Sequence, residues 1–365
     1  MNENHFELKP YLPLTIFMMT ISSIGGYLVL FIGLMNKVIH RHKLHSQYML
    51  GSLMVWMLLS CLWTSQPSLT IALHDAMKYV SKFLLFMSLV PLLKYLNHQH
   101  LHQYWFWSLF TTICVCMLGL TSHRFFYDIP LSALSALIAL DLILFQRPHY
   151  ILKVGFILMY LLFFNYQRTG VLMFIIGLIF LLCNYIDKKK YKYFFGLLSV
   201  LMLLGITPLG SKFMIGIKEI FYSQGVHYQI HTSMGIRRYF FEKSLVAILS
   251  HPIVGYGAGS QHVVLMGILE PRFAIDHTHM LYTQITIQYG LIGLGLFTSW
   301  MISLFLFACR CDKRSRVNIH LVLLLLLVYG VFDAPLYTLK AGFIMMFWLA
   351  QSIAFSKPEP LHMNQ

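Results

Sequence analysis

Charged residues are scarce in this sequence: Asp, Glu, Lys and Arg make up only 11% of its 365 residues, whereas 58% are hydrophobic. Soluble globular domains carry about 25% charged residues. A water-soluble fold cannot bury this much apolar surface and is excluded. Several separate stretches of about twenty residues are almost free of charge, which is the length that a helix needs to cross a bilayer. The sequence therefore predicts an all-α polytopic membrane protein.

Other common patterns are also missing. The apolar runs are continuous, as over residues 321–329, and do not alternate with polar residues, which disfavours a transmembrane barrel. The first apolar segment is not followed by a small-residue cleavage site, so we expect it to stay in the mature chain. The cysteines lack the paired spacing of a disulfide framework or a zinc site, and we expect them to pack as small apolar residues. These cysteines are Cys61, Cys114, Cys116, Cys183, Cys309 and Cys311.

The net charge of +14 comes mostly from basic residues in short segments between apolar runs. An excess of Lys and Arg in short loops is typical of the cytoplasmic side of a membrane protein. This pattern explains the charge without a nucleic-acid partner, and we expect none. The three basic groups are Lys37, Arg41 and Lys43; Lys188, Lys189, Lys190 and Lys192; and Arg310, Lys313, Arg314 and Arg316.

The order of apolar runs predicts the membrane topology. With the basic groups in the cytoplasm, the long connection 208–283 lies in the periplasm, where we expect it to contain short helices. Residues 11–34 form either one span or a hairpin around Gly25 and Gly26, which gives 11 or 12 spans in a single membrane domain, residues 1–365. The spans are predicted at 11–34, 47–63, 78–96, 104–120, 130–145, 149–165, 171–185, 193–207, 284–308, 319–335 and 339–355.

Three arginines on the predicted periplasmic face are candidate anion-binding residues. Arg168 lies on a short turn between two spans, and an arginine cannot shed its charge. Arg237 and Arg238 begin a predicted amphipathic helix, residues 236–250, where a bound anion would offset the unfavourable helix dipole. The alternatives are that Arg168 reaches the lipid headgroups and that Glu242 pairs with one of the other two.

Residues 276–279 and a glycine-rich turn complete the candidate site. In the first segment, Asp276 can orient a neighbouring histidine, which can take a proton from a hydroxyl at near-neutral pH. His277 and His279 are two residues apart with no further ligand set evident, so we expect no metal. In the turn, Gly255 and Gly257 would let backbone amides approach a ligand closely; the alternative is a plain connector.

The order of these motifs resembles the O-antigen ligase and O-antigen polymerase superfamily of bacterial membrane glycan transferases. The family usually has asparagine and an aromatic residue where this chain has Thr278 and Met280. His277 matches the family histidine, and a shifted register would use His279 instead. Arg237 fits the spacing to the following helix better than Arg238 does. The similar segments are LWTSQPS at 62–68 with Ala72, Lys78 and Tyr79, QRTG at 167–170, GIR at 235–237, HPIVGYG at 251–257, HTHML at 277–281 and YGLIG at 289–293.

The resemblance implies a ligase in the bacterial inner membrane that needs no metal or other cofactor. Such an enzyme transfers a glycan from undecaprenyl pyrophosphate to a sugar of lipid A-core, with inversion at the anomeric carbon. His277 would be the general base, oriented by Asp276. Arg168 and Arg237 would bind the pyrophosphate, with Arg238 as the alternative to Arg237, and the apolar spans would contact the polyprenyl tail and membrane lipids.

Three other functions remain open from the sequence. An O-antigen polymerase and a protein O-oligosaccharyltransferase use the same donor and share the motifs. A transporter of lipid-linked glycan would also be polytopic and basic, but no internal repeat is visible. Asp141, an acidic residue well inside a predicted span, is expected to pair within the bundle; a transporter would require Asp141 while Arg168 and His277 were dispensable.

Overall fold

The computed structural model describes residues 12–21, 26–27, 45–94, 98–117, 129–146, 149–164, 167–184, 199, 233–268 and 278–357. Every regular element within these ranges is helical, and none of the described residues forms a β-strand. Three of the described helices are long and apolar enough to cross a membrane, and others are apolar but shorter. Within these ranges the predicted all-helical fold is confirmed, and the three long apolar helices are candidate membrane spans.

The helices are numbered here in chain order. In the first half they are α1 (Leu12–Ile21), α2 (His45–Leu59), α3 (Leu69–Leu93), α4 (His98–Met117), α5 (Ile129–Phe145), α6 (Tyr150–Met159) and α7 (Arg168–Asn184). In the second half they are α8 (Ser233–Ser250), α9 (Gln261–Ile268), α10 (Leu281–Cys309), α11 (Lys313–Phe332) and α12 (Leu339–Ala354). A 3-10 turn, Ser60–Trp63, extends α2, and a π-helical turn, Tyr160–Phe164, extends α6.

These helices pack against one another in a bundle. Helix α3 packs against α12, α2 packs against α10, and α11 packs against α7, α10 and α12. Buried apolar side chains of these helices form one large cluster. A second, small cluster joins α8 and α9 to α10 through Tyr239, Phe240, Ala247, Leu265 and Ile287.

Several helices begin earlier than the hydropathy predicts, and the structure explains two of them. Helix α3 starts at Leu69 rather than at residue 78, because Asp75, Lys78 and Lys82 fall on one helical face that turns toward other helices instead of forming a loop. Helix α11 starts at Lys313 rather than at residue 319. The carboxylate of Asp312 caps it by accepting hydrogen bonds from the Arg314 and Ser315 amides at 3.0 and 3.2 Å.

The predicted spans 193–207 and much of 11–34 lie outside the described residues, so the choice between 11 and 12 spans stays a prediction. Helix α10 is not continuous: Gly290 has φ 68° and ψ −170°, which breaks the helix in its first half. Helix α8 covers the helix predicted at 236–250, although its apolar side chains are not confined to one face as an amphipathic helix would require. The chain leaves the helix at His251 and Pro252, as expected.

Candidate functional site

The turn at residues 251–260 fills the break in α10. Because the break disrupts the usual bonds from residues 291 and 292 back to residues 287 and 288, four backbone groups need other partners. The turn supplies all four. The amides of Tyr256 and Gly257 donate to the carbonyls of Ile287 and Gln288 at 2.8 and 2.9 Å. In return, the amides of Leu291 and Ile292 donate to the carbonyls of Pro252 and Ile253 at 2.8 and 3.2 Å.

The glycines of this turn permit that close approach. Gly255 and Gly257 have φ of 69° and 89°, a region that side chains disfavour. A Cβ on Gly255 would lie 2.6 Å from the Gly290 nitrogen, and one on Gly257 would lie 2.7 Å from the Ser60 carbonyl oxygen. The glycine turn predicted from the sequence is therefore present, and it packs backbone against backbone. Direct contact of Gly255 and Gly257 with a ligand stays a prediction.

The segment that follows α2 binds the other side of the same turn. The Ser65 amide donates to the Tyr256 carbonyl at 3.0 Å, and the Thr64 hydroxyl donates to the Ala258 carbonyl at 2.7 Å. The indole nitrogen of Trp56 donates to the carbonyl of Tyr289 at 3.0 Å, just before the break. Three of the sequence motifs, at 62–68, 251–257 and 289–293, thus meet in space.

A buried polar cluster lies below this junction. The Lys78 Nζ contacts Asp75 Oδ1 at 2.5 Å and donates to the Tyr337 hydroxyl at 2.9 Å. The side-chain amide of Gln261 donates to Asp75 Oδ2 and to the Tyr337 hydroxyl, both at 3.0 Å. Gln288, two residues before Gly290, donates to the Gln261 side-chain oxygen. Side chains from α3, α9, α10 and the α11–α12 connection are therefore joined in one network.

Lys82 anchors the connection between α11 and α12. Its side chain is fully buried, and its Nζ donates to the carbonyls of Leu336 and Tyr337 at 2.6 and 3.3 Å. A third bond runs to the carbonyl of Lys78. A buried ammonium is costly unless its donors are satisfied, and the three carbonyls satisfy it. Lys82 thereby fixes the turn that begins at Asp333.

His279 and Asp333 face each other at this end of the bundle. The Nδ1 of His279 lies 3.9 Å from Oδ1 of Asp333, and the imidazole stacks on the Phe240 ring with centroids 6.1 Å apart and planes 12° apart. Asp333 is buried, and its Oδ1 also accepts from the amide of Ala334 at 2.8 Å. His279 has φ 55°, an uncommon conformation for a residue with a side chain.

Threonines hold the backbone that presents His279. The amide of Thr278 donates to the side-chain oxygen of Gln284 at 3.0 Å, and the Thr278 hydroxyl donates to the carbonyl of Met280 at 2.8 Å. Thr283 donates to the Thr278 hydroxyl at 3.0 Å. The start of α10 is thus fixed on both sides of the histidine. The threonine that departs from the family pattern has a defined structural role.

Two of the three candidate arginines have described side chains. Arg238 is exposed, and its Nε donates to Glu242 at 3.1 Å, so the pairing that the sequence left open falls on Arg238. Arg237 is half-buried and lies one helical turn before Phe240, the residue that stacks on His279. Arg168 is the first residue of α7, with its side chain outside the described part. Asp276 and His277 also lie outside the described residues.

Comparison with known families covers the centre of this arrangement. Residues 154–298 match the profile of the family described as O-antigen ligase. The chain contains an O-antigen ligase domain. The resemblance inferred from the motifs is confirmed. Enzymes of this family are membrane proteins of the O-antigen ligase and polymerase type, and they act on lipid-linked glycans. No curated protein matches the chain.

The O-antigen ligase domain includes Arg237, His279, the glycine turn and the break in α10, but Asp333 lies beyond it. Sequence reasoning missed Asp333 and also Lys82. In the sequence, Asp333 directly follows an apolar run and Lys82 has mostly apolar neighbours. Neither pattern identifies a partner far away in sequence.

Asp141, an acidic residue outside the O-antigen ligase domain, pairs with a histidine inside the helix bundle. Asp141 Oδ2 lies 2.6 Å from Nδ1 of His102, and both side chains are buried between α4 and α5. Gln351 of α12 reaches the other nitrogen of His102 at 3.4 Å. The pairing expected for Asp141 within the bundle is observed. In the described part of the chain, no group of three or more His, Cys, Asp or Glu side chains is placed to hold a metal ion.

Proposed function

We propose that this protein is an O-antigen ligase-type glycosyltransferase that moves a glycan from undecaprenyl pyrophosphate to a sugar of lipid A-core. The observation that carries the proposal is the pair His279 and Asp333, with Nδ1 and Oδ1 3.9 Å apart, next to the helix that bears Arg237. A base and a cation on neighbouring elements are what glycan transfer from a pyrophosphate requires.

The proposed site lies on the periplasmic face of the inner membrane. The connection between α10 and α11, with Arg310 and Lys313, marks the cytoplasmic end of both helices by the positive-inside rule. His279 and Asp333 lie at the opposite ends of the same two helices. We retain the topology of 11 or 12 spans in one membrane domain, with residues 208–283 as a periplasmic loop that contains α8 and α9.

His279 is the proposed general base. Its imidazole would accept the proton of the acceptor hydroxyl as the new bond to the anomeric carbon forms, and Asp333 would stabilise the resulting imidazolium. The bond from the anomeric carbon to the phosphate oxygen breaks, and its electron pair leaves with the pyrophosphate. A single displacement of this kind inverts the anomeric carbon. His277 with Asp276 is the alternative pair, and it differs by having its carboxylate adjacent in sequence.

Arg237 and Arg168 are proposed to bind the pyrophosphate and to stabilise its charge as it leaves. Arginine suits this role because its planar guanidinium can bind two phosphate oxygens at once. Arg237 is favoured over Arg238 because Arg237 is half-buried and lies one turn before Phe240, which stacks on His279, whereas Arg238 is exposed. Since fixed arginines would supply the positive charge, the proposed reaction needs no metal.

The O-antigen polymerase reaction is the second candidate, because the shared family covers both reactions. A protein O-oligosaccharyltransferase would use the same donor. A transporter of lipid-linked glycan is less well supported. The break in α10 and the buried Lys82 are features that transporters also have. Here, however, the break is filled by the protein's own turn and Lys82 binds carbonyl oxygens.

The lipopolysaccharide gel profile of a deletion strain separates these functions. Complementation with wild type should restore long chains, and His279→Ala should not. Loss of all core-attached chains, with polymerised lipid-linked glycan accumulating, means a ligase. Cores that carry a single repeat unit mean a polymerase. An unchanged lipopolysaccharide profile with under-glycosylated proteins means a protein O-oligosaccharyltransferase. Lipid-linked glycan trapped on the cytoplasmic side means a transporter.

A further inference from the structure

Helix α8 has an exposed apolar surface that is concentrated toward its C-terminal end. Leu249 is 77% exposed, and Ile253, just past the helix, is 63% exposed. The opposite face is buried against α9 and α10 through Tyr239, Phe240 and Ala247. The exposed apolar side chains of the C-terminal half of α8 and of the residues just past it, which we call the α8 apolar face, are Leu245, Val246, Leu249, Ile253 and Val254.

The exposed side of α8 changes character along its length. Near its start it carries the ion pair of Arg238 and Glu242, both of which have water-accessible side chains. Toward its end the exposed surface is mostly apolar, although Ser250 and His251 are also exposed. With a rise of about 1.5 Å per residue, Leu249 lies roughly 16 Å farther along the axis than Arg238. The headgroup layer on one side of a bilayer is about 5–8 Å thick. The helix is therefore long enough to run from the aqueous edge of the interface into the acyl chains.

The α8 apolar face continues directly into the surface of a membrane-spanning helix. Hydrogen bonds from Leu291 to the Pro252 carbonyl and from Ile292 to the Ile253 carbonyl fix the end of α8 to α10. Leu291 is itself 54% exposed, on a helix long and apolar enough to cross a bilayer. The lipid that surrounds this part of α10 must then also reach the residues bonded to it.

We propose that the C-terminal half of α8 is embedded in the bilayer interface, with the α8 apolar face in the acyl chains and Arg238 at the level of the headgroups. The partner is bulk membrane lipid. A helix placed in this way buries apolar side chains in lipid and holds a basic residue near anionic headgroups, and both interactions strengthen binding to a membrane surface. The proposal rests on the exposure and bonding of α8 and not on the catalytic role of His279 or Arg237.

Spin-label accessibility tests this proposal. A variant with all six cysteines replaced, first shown to fold, receives a single cysteine at Leu249, Val246 or Glu242, and each is labelled with a nitroxide. The full chain is reconstituted into phosphatidylethanolamine and phosphatidylglycerol vesicles without polyprenyl lipid. Collision rates are measured with oxygen, which concentrates in lipid, and with a water-soluble nickel chelate. Val246 provides a second position should the label at Leu249 prevent folding.

The expected result is an oxygen-to-nickel ratio at positions 249 and 246 several-fold higher than at position 242 on the same helix. An equally low ratio at the three positions would show that the α8 apolar face lies in water, and it would overturn the proposal. Low collision rates with both reagents would show that protein covers this face, which overturns it as well. A high ratio that appears only after polyprenyl lipid is added would instead identify a donor-tail groove.

Discussion

Gly255 and Gly290 lie backbone to backbone: a Cβ on Gly255 would be 2.6 Å from the Gly290 nitrogen. This contact joins the turn after α8 to the break in α10. The four hydrogen bonds between these segments form only at this distance. The break also ends the first part of α10, and His279 lies just before the beginning of that part. The fit of two glycines is therefore what connects the arginine helix to the proposed base.

Gly290→Ala is expected to destabilise the fold. With φ 68° and ψ −170°, Gly290 has a conformation that is essentially restricted to glycine, at a cost of about 1–3 kcal/mol for other residues. A Cβ would also overlap the carbonyl of Ile253. The thermal midpoint in detergent should fall by several degrees. The control is Gly295→Ala on the same helix, where a Cβ meets nothing within 4 Å. Equal midpoints for both variants would contradict this account of the break.

Lys82→Met is expected to lower the turnover rate of glycan transfer. The variant keeps an unbranched side chain one atom shorter but leaves the carbonyls of Leu336 and Tyr337 without their donor, at a cost of about 1–3 kcal/mol. Because these carbonyls belong to the turn that starts at Asp333, the placement of Asp333 against His279 should suffer. Rates should fall about tenfold or more. Lys94→Met, at an exposed position on the same stretch of chain, is the control and should leave the rate unchanged. A normal rate in Lys82→Met would remove the turn from the mechanism.

The two arginines of α8 should differ in their effect on donor binding. Arg237→Gln should raise the donor KM by roughly tenfold to a hundredfold, because a charge-assisted hydrogen bond contributes about 1.5–3 kcal/mol. Arg238→Gln should change it little, since exposed ion pairs such as Arg238–Glu242 contribute only about 0.2–1 kcal/mol. Steady-state kinetics with a lipid-linked glycan measures both. A larger effect from Arg238→Gln would exchange the two assignments.

The cap of α11 gives the protein an acid-sensitive contact. Burial raises the pKa of Asp312, but hydrogen bonds from Ser315 and from the amides of Ser315, Arg314 and Lys357 outweigh it and hold the pKa below its usual value. Since the folded-state pKa is the lower one, the stabilisation is present above the unfolded value of about 3.9 and is lost as the pH falls through the folded value. Asp312→Ala should cost about 1 kcal/mol at neutral pH.

Thermal midpoints of wild type and Asp312→Ala between pH 7 and pH 3 check this prediction. The difference between the two proteins should be constant down to about pH 4 and should shrink below it. A difference that stays constant over the whole range would show that the carboxylate charge is not what stabilises the cap.

Hydropathy predicted most of the helices because apolar length directly reflects membrane thickness. The prediction at 130–145 and the observed α5, Ile129–Phe145, nearly coincide. It failed at the start of α3, where Asp75 and Lys82 are buried by partners from α9 and the α11–α12 connection. A charged residue lowers the local hydropathy, so the segment around it is predicted as a loop even where a partner distant in sequence lets it be buried in a helix.

The motifs predicted the site in part. The turn with Gly255 and Gly257 was found because its glycines are clustered in the sequence. Its contact with Gly290 explains why the motif at 289–293 also contains a glycine. Asp333 was missed because its relation to His279 spans more than fifty residues and depends on two helices that run in opposite directions. Local spacing carries no information about such a contact.

Glycan transfer by the purified, reconstituted protein tests the central claim most directly. Vesicles containing wild type, His279→Ala or His277→Ala receive undecaprenyl pyrophosphate-linked glycan and lipid A-core in the presence of a metal chelator. Wild type should form core-linked glycan, and His279→Ala should lower the rate by roughly a hundredfold or more, the usual contribution of a general base. His277→Ala should remain active. A wild-type rate from His279→Ala would contradict the proposed mechanism, and loss of activity only in His277→Ala would assign the base to the alternative register.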